Sequence, residues 1–376
     1  MKMKTMKTKK LSFLLVLMAT VALSGCTNDS DTPDNNSNFP QDGVMRFATS
    51  VTDAQTRTGY DDSNVTTQDL YLWATPTGDN PKADYTYKGI ILHHTADGGW
   101  GTYSTKGSDG SYTPITLLWQ DKTTPVKVVA SSFGGNTTDR VDLPTEAGIS
   151  VSAFQREDNF LIQSDFLYFS GTVNPALTTD ATESDGNTSQ YALVDGKIRL
   201  PMRHINSKLN LTLTLGTEFN ASADGLGFGK YNPLTDVKVN NVYGERQFNM
   251  TTGEFGAFKD GFGNAATPSS ITLSTGTDGS GDYHSLGSWA PTTDATKNAV
   301  ASYECILLPQ TVAANTFTIS FTLGGKAYKW TSANAVTLES GKAYTLSLTA
   351  GKEIVTVKSL SATAWDEQTE GSIATE

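Results

Sequence analysis

Apolar and polar residues alternate along much of this chain with a period of two, the signature of strands that bury one face. Leu209, Leu211, Leu213 and Leu215 interleave with Asn210, Thr212 and Thr214. Phe317, Ile319, Phe321 and Leu323 alternate with Thr316, Thr318, Ser320 and Thr322. Strands of this kind need a second layer to cover the apolar face, and a sandwich of antiparallel sheets provides it. Gly324-Gly325 should turn the chain into a hairpin ending in Tyr328 and Trp330. Glu339-Ser340-Gly341-Lys342 is a second turn, leading into Tyr344, Leu346 and Leu348, and Ile354 to Trp365 reads as the last strand. Residues 177–190, 220–233 and most of 259–300 read as loops. The best helical stretch, at 148–158, is short.

Composition agrees: between its turns the chain is rich in Thr, Gly, Val, Tyr and Phe and poor in charge. Trp73, Trp119, Trp330 and Trp365 fall in strand-like runs and are expected in the core. The fold class expected is all-β.

The first residues follow a different rule. Lys2, Lys4, Lys7, Lys9 and Lys10 precede the apolar run LSFLLVLMATVAL, which falls short of the roughly 20 residues a spanning helix needs. This is the pattern of a secretory signal peptide, placed at 1–25. Leu23-Ser24-Gly25-Cys26 resembles a bacterial lipobox, which implies acylation of Cys26 and an anchor in the outer membrane through that lipid. Residues 26–42 are acidic, polar and short of anything to bury, and read as a flexible linker.

The formal net charge of −11 argues against nucleic acid as a partner. With Cys26 used for lipid, only Cys305 remains, in an apolar run, so no internal disulfide is possible. His93 and His94 are adjacent, point to opposite faces of a strand and cannot readily share a metal. Asp278-Gly-Ser-Gly-Asp282 lacks the spacing and terminal Glu of a calcium loop. No catalytic, metal or cofactor motif stands out, so no metal, no cofactor and no enzyme is expected. Trp100, in Asp97-Gly-Gly-Trp-Gly, has two readings. It stacks on a sugar ring, with Tyr103 beside it, or it folds back over an open sandwich end.

Several segments together resemble the fimbrillin family. Ile115-Thr-Leu-Leu-Trp119 followed by Val126-Lys-Val-Val-Ala130, and Gln163-Ser-Asp-Phe-Leu-Tyr168, are similar to segments of its N-terminal half. Leu200-Pro-Met-Arg-His204 with Ser207-Lys-Leu209 resembles its strand entry. Leu308-Pro-Gln310, Tyr328, Gly341-Lys342-x-Tyr344 and the closing Trp365 resemble its C-terminal half. The resemblance implies two tandem transthyretin-like antiparallel β-sandwich domains, with boundaries expected at 43–196 and 197–376. It implies a surface lipoprotein of a Gram-negative anaerobe, partnered with other fimbrial subunits and serving adhesion to host or bacterial surface glycans or proteins.

It also implies a mechanism, in which a protease cuts after an arginine, the first strand leaves, and a neighbour's strand fills the vacated groove. Arg57, in Thr56-Arg57-Thr58, is the matching processing site, and Met45, Phe47 and Val51 lie on one face of the strand that would leave. The residues themselves leave a second reading open, in which 44–51 is a permanent first strand. The acidic tail 366–376 lacks an alternating apolar face and makes a poor donor strand. A monomeric surface lipoprotein that binds glycans is the rival function.

Overall fold

The computed structural model describes residues 38–51, 64–133, 142–156, 158–220, 225–259, 263–274 and 287–365. These belong to one compact unit. The protein is all-β: the described residues form strands and three short 3-10 turns, with one α-helix, Asp158–Ser164.

Two hydrophobic cores organise the strands. An eight-stranded sheet runs, edge to edge, through Phe47–Val51, Ile198–His204, Leu167–Val173, Val126–Ser131, Leu70–Pro76, Tyr87–His94, Trp100–Lys106 and Tyr112–Pro114. One face of it builds the first core, with Leu70, Leu72, Ile90, Leu92, Val126, Val128, Leu167 and Phe169 fully or almost fully buried. The second core lies between a five-stranded and a four-stranded sheet. The five-stranded sheet is centred on Ser207–Leu215 and ends at Val355–Ala364; the four-stranded one carries Leu234–Val242 and Thr318–Leu323. The strict leucine alternation at 209–215 is what the second core uses: these four leucines are at most 1% exposed while the intervening residues are half-buried. Cys305 lies in the same core, and burial pushes its thiol pKa up.

The opposite face of the first sheet is also covered. Trp73, Val129 and Tyr168 point into the second core, and the Tyr168 hydroxyl donates to the Met250 carbonyl at 2.5 Å. The chain changes sheets between His204 and Ser207. Earlier in the chain, Glu146–Ser150 already pairs with Glu245–Asn249.

Several sequence expectations change here. The stretch 148–158 is not a helix: it carries the end of the Glu146–Ser150 strand, and the helix begins at Asp158. Long-range pairing with Glu245–Asn249 overrides local helical preference, because it buries Ile149 and Val151. The loop expected at 177–190 holds a small hairpin, Ala181–Thr182 with Thr188–Gln190, and 259–300 contains the strands Ser269–Ser274 and Gly287–Ala290. The sheets are not purely antiparallel. Phe47–Val51 runs parallel to Ile198–His204, and Ser207–Leu215 runs parallel to Lys342–Ala350. Both join strands far apart in sequence, where the long connection a parallel pair requires is available. Trp73, Trp119 and Trp365 are buried as expected, while Trp330 is half-buried against the second core.

Candidate functional site: the first strand and its groove

The strand Phe47–Val51 lies at one edge of the first sheet. Its approach, from Asn38, is tied down by short-range and long-range bonds. The Gly43 amide donates to the Pro40 carbonyl at 2.9 Å, closing a turn in which Gly43 takes φ 66. Asp42 then accepts from the Val44 amide and from the Arg46 guanidinium. Those contacts, Arg46 foremost, lower the Asp42 pKa to about 2. Both groups face solvent, so the pair sets local conformation more than it adds stability.

Main-chain bonds hold the segment on both sides at its start. The Met45 amide donates to Leu117 and the Trp119 amide donates to Gly43, at 2.8 and 2.9 Å. On the other side the Ile198 amide donates to Arg46 at 2.8 Å, and the parallel register continues as Phe47 with Ile198, Thr49 with Leu200 and Val51 with Met202. Alternation from the Ile198 bond turns the backbone of residues 198, 200 and 202 toward the first strand. Pro201 therefore directs its missing donor to the other side, where pairing with Leu167–Val173 begins only at Arg203.

Met45, Phe47 and Val51 all enter the first core, at 2, 4 and 5% exposure. The groove that receives them is walled by Leu117, Trp119, Ile198, Leu200 and Met202, all buried. The expected face of the first strand is thus the observed one. The walls were not singled out from the sequence, although Ile198-Arg-Leu-Pro-Met202 and Leu117-Leu-Trp119 show the same period of two. Each of the three side chains contributes about 1.5–3 kcal/mol on burial, as an upper estimate. Together they make the first strand a major stabiliser of a core that could not close without it. Cys26 and Arg57 both lie outside the described residues, as does the Asp278–Asp282 stretch.

The structure does not bring Trp100 and Tyr103 together. Both are on the strand Trp100–Lys106, three residues apart, and so face opposite ways. Trp100 is half-buried against the first core, edge-on to His94 at 5.4 Å. Tyr103 lies on the other face in a polar aromatic cluster. There His93 stacks on Tyr112 at 4.2 Å, and Tyr103 meets Tyr112 at 5.0 Å. Asp69 accepts from Lys106 Nζ at 2.7 Å and from the Tyr112 hydroxyl at 2.9 Å, with His93 Nδ1 at 2.8 Å. Burial opposes the Asp69 charge, but Lys106, His93 and Tyr112 together outweigh it and hold the carboxyl below its usual range. Among the described residues no group of His, Cys, Asp and Glu could hold a metal ion.

The family model for fimbrillin-like proteins matches residues 49–365. The chain belongs to the fimbrillin-like family. Solved structures similar to this fimbrillin-like chain agree on the fold. A candidate cell adhesion protein from Bacteroides ovatus is 15% identical, with 87% of this chain and 98% of that one covered and a TM-score of 0.54. A candidate cell adhesion protein from Bacteroides uniformis is 17% identical over 87% and 99% of the two chains, with a TM-score of 0.48. The fimbrial anchor protein Mfa2 from Porphyromonas gingivalis is 9% identical over 86% and 97%, with a TM-score of 0.36. No curated protein matches this chain.

Proposed function

We propose that this fimbrillin-like chain is a structural or accessory subunit of a cell-surface fimbria, working by strand exchange and adhesion and not by catalysis. It is exported as a lipoprotein acylated on Cys26, reaches the surface of the outer membrane, and loses its first strand after cleavage at Arg57. A strand from another fimbrial subunit then fills the groove. In this reading 43–196 and 197–376 act as two β-sandwich domains, with the exchange confined to the first.

One observation carries the reading. Met45, Phe47 and Val51 fill an apolar groove from a strand at the edge of its sheet. The strand precedes residues 52–63 in the chain, so a cut at Arg57 severs its covalent link to everything that follows. After the cut only main-chain bonds and three buried side chains retain it, and a neighbour's strand can replace both like for like. An empty groove exposing Leu117, Trp119, Ile198, Leu200 and Met202 would be a strong driver of association.

The test is limited digestion of the intact chain with a trypsin-like protease. Cleavage at Arg57 followed by ladders of non-covalent oligomers on unheated gels supports the proposal. A cut protein that remains strictly monomeric contradicts the strand-exchange step.

A further inference from the structure

Away from the first strand, a cleft of about 360 Å³ opens beside the hairpin Glu245–Asn249 with Glu254–Phe255. Arg246, Phe258, Pro309, Gln310, Thr311 and Leu338 line it. Its size is in the range of small-molecule sites.

Arg246 is the unusual member. Its guanidinium is half-buried, lies over the Phe258 ring at 4.6 Å and the Phe255 ring at 5.1 Å, and is pinned by two backbone carbonyls. Nε donates to Gly256 at 2.9 Å and Nη1 donates to Pro309. Phe258 is itself held by stacking on Tyr243 at 4.2 Å. Among the described residues no carboxylate pairs with Arg246. Glu245, its neighbour in sequence, alternates to the opposite face of the strand. Burial alone acts on the guanidinium and pulls its pKa down. In a chain of net charge −11, a fixed, partly desolvated cation without an acid partner is a site prepared for an anion from outside. Nη2 is the donor left over after Gly256 and Pro309 are served.

The shape of the cleft restricts the ligand. The buried Gln310 amide closes on the Tyr243 backbone, donating to its carbonyl at 3.0 Å and accepting from its amide at 2.8 Å. That occupies the main-chain groups an extended peptide would need for a ladder, so the cleft suits a compact ligand. Thr311 stands exposed at the rim and offers a hydroxyl, while Pro309 and Leu338 supply apolar wall.

We propose that the Arg246 cleft binds an acidic monosaccharide unit, a uronic or sialic acid, with its carboxylate on Arg246 and a ring hydroxyl on Thr311. The site is independent of strand exchange, and its test does not touch the first strand. Titrating the intact chain with N-acetylneuraminic acid and with glucuronic acid, by calorimetry or ligand-observed NMR, should show saturable binding. Glucuronic acid methyl ester and glucose should bind at least about tenfold more weakly, because a charge-assisted bond is lost. Arg246→Gln should remove acid binding. Because Arg246 also ties down two carbonyls, Thr311→Glu provides a second variant: it sets a negative charge at an exposed rim, should abolish acid binding and should leave the melting temperature unchanged. Equal binding of acid and ester, absence of saturable acid binding, or acid binding that survives Thr311→Glu would overturn the proposal. So would preference for an acetylated tripeptide with a free carboxylate over both sugar acids.

Discussion

Replacing Phe47 with alanine tests the first strand at its most buried aromatic position. Phe47 is 4% exposed and sits in register with Ile198, which is fully buried. Removing a core phenylalanine costs about 3–5 kcal/mol. The lower end applies here, because the strand lies at a sheet edge and its neighbours can close in. In protein cut at Arg57, the fragment that carries the first strand is held by non-covalent contacts alone, so about 3 kcal/mol becomes roughly two decades in its dissociation constant. The assay follows release of a fluorescently labelled fragment from cut protein in the presence of excess unlabelled strand peptide. Most of the change is expected in the release rate, which should rise about 100-fold in Phe47→Ala. Ser50→Ala is the control, since Ser50 is exposed and points away from the core. Equal release from the two variants, or release of Phe47→Ala within about threefold of the unmodified strand, would refute the reasoning that side-chain burial retains it.

Three further outcomes are expected. Asp69 has a depressed pKa in the folded chain, so its contribution to stability is present above its unfolded pKa of about 3.9 and is lost as pH falls through the folded value. Urea unfolding should show Asp69→Asn less stable than the parent near neutral pH, with the gap closing below about pH 4; a gap that persists in acid contradicts the Lys106, His93 and Tyr112 pairing. Trp365→Ala should cost about 3–5 kcal/mol in the same assay, because the ring is 1% exposed and stacks flat on His204 at 4.2 Å; Trp365→Phe, which keeps a ring there, should cost less. Cys305 should resist iodoacetamide in native buffer and react only in denaturant, as mass spectrometry of the intact chain will show.

What could be read from the sequence was set by period. The leucines at 209–215 and the alternation at 317–323 announced their strands because one face of each is buried and the other is not. Gly324 and Gly325 take φ 58 and 76, values that favour glycine, so the hairpin they form was visible too. The apolar face of the first strand followed from the same rule. Its groove was harder, because Leu117, Trp119 and Ile198–Met202 approach from positions some 70 to 150 residues away in the chain, and no local pattern links them. The helix was misplaced for a related reason: Gly148 to Val151 joins a strand whose partner lies near residue 246. The Arg246 cleft left no sequence signal, since its lining comes from three separate turns and strands. Trp100 was ambiguous in sequence because a tryptophan after two glycines suits a tip and a strand start equally. The turn at Gly98, with φ 86, delivers it into a strand and against the core.

The central claim is that the first strand leaves and another replaces it. N-terminal sequencing and intact mass of this polypeptide, taken from fimbriae isolated from cells, test it directly. The account requires a chain that begins at Thr58 and lacks Met45, Phe47 and Val51. Polymerised subunits that begin at acylated Cys26 and retain residues 44–51 would contradict it.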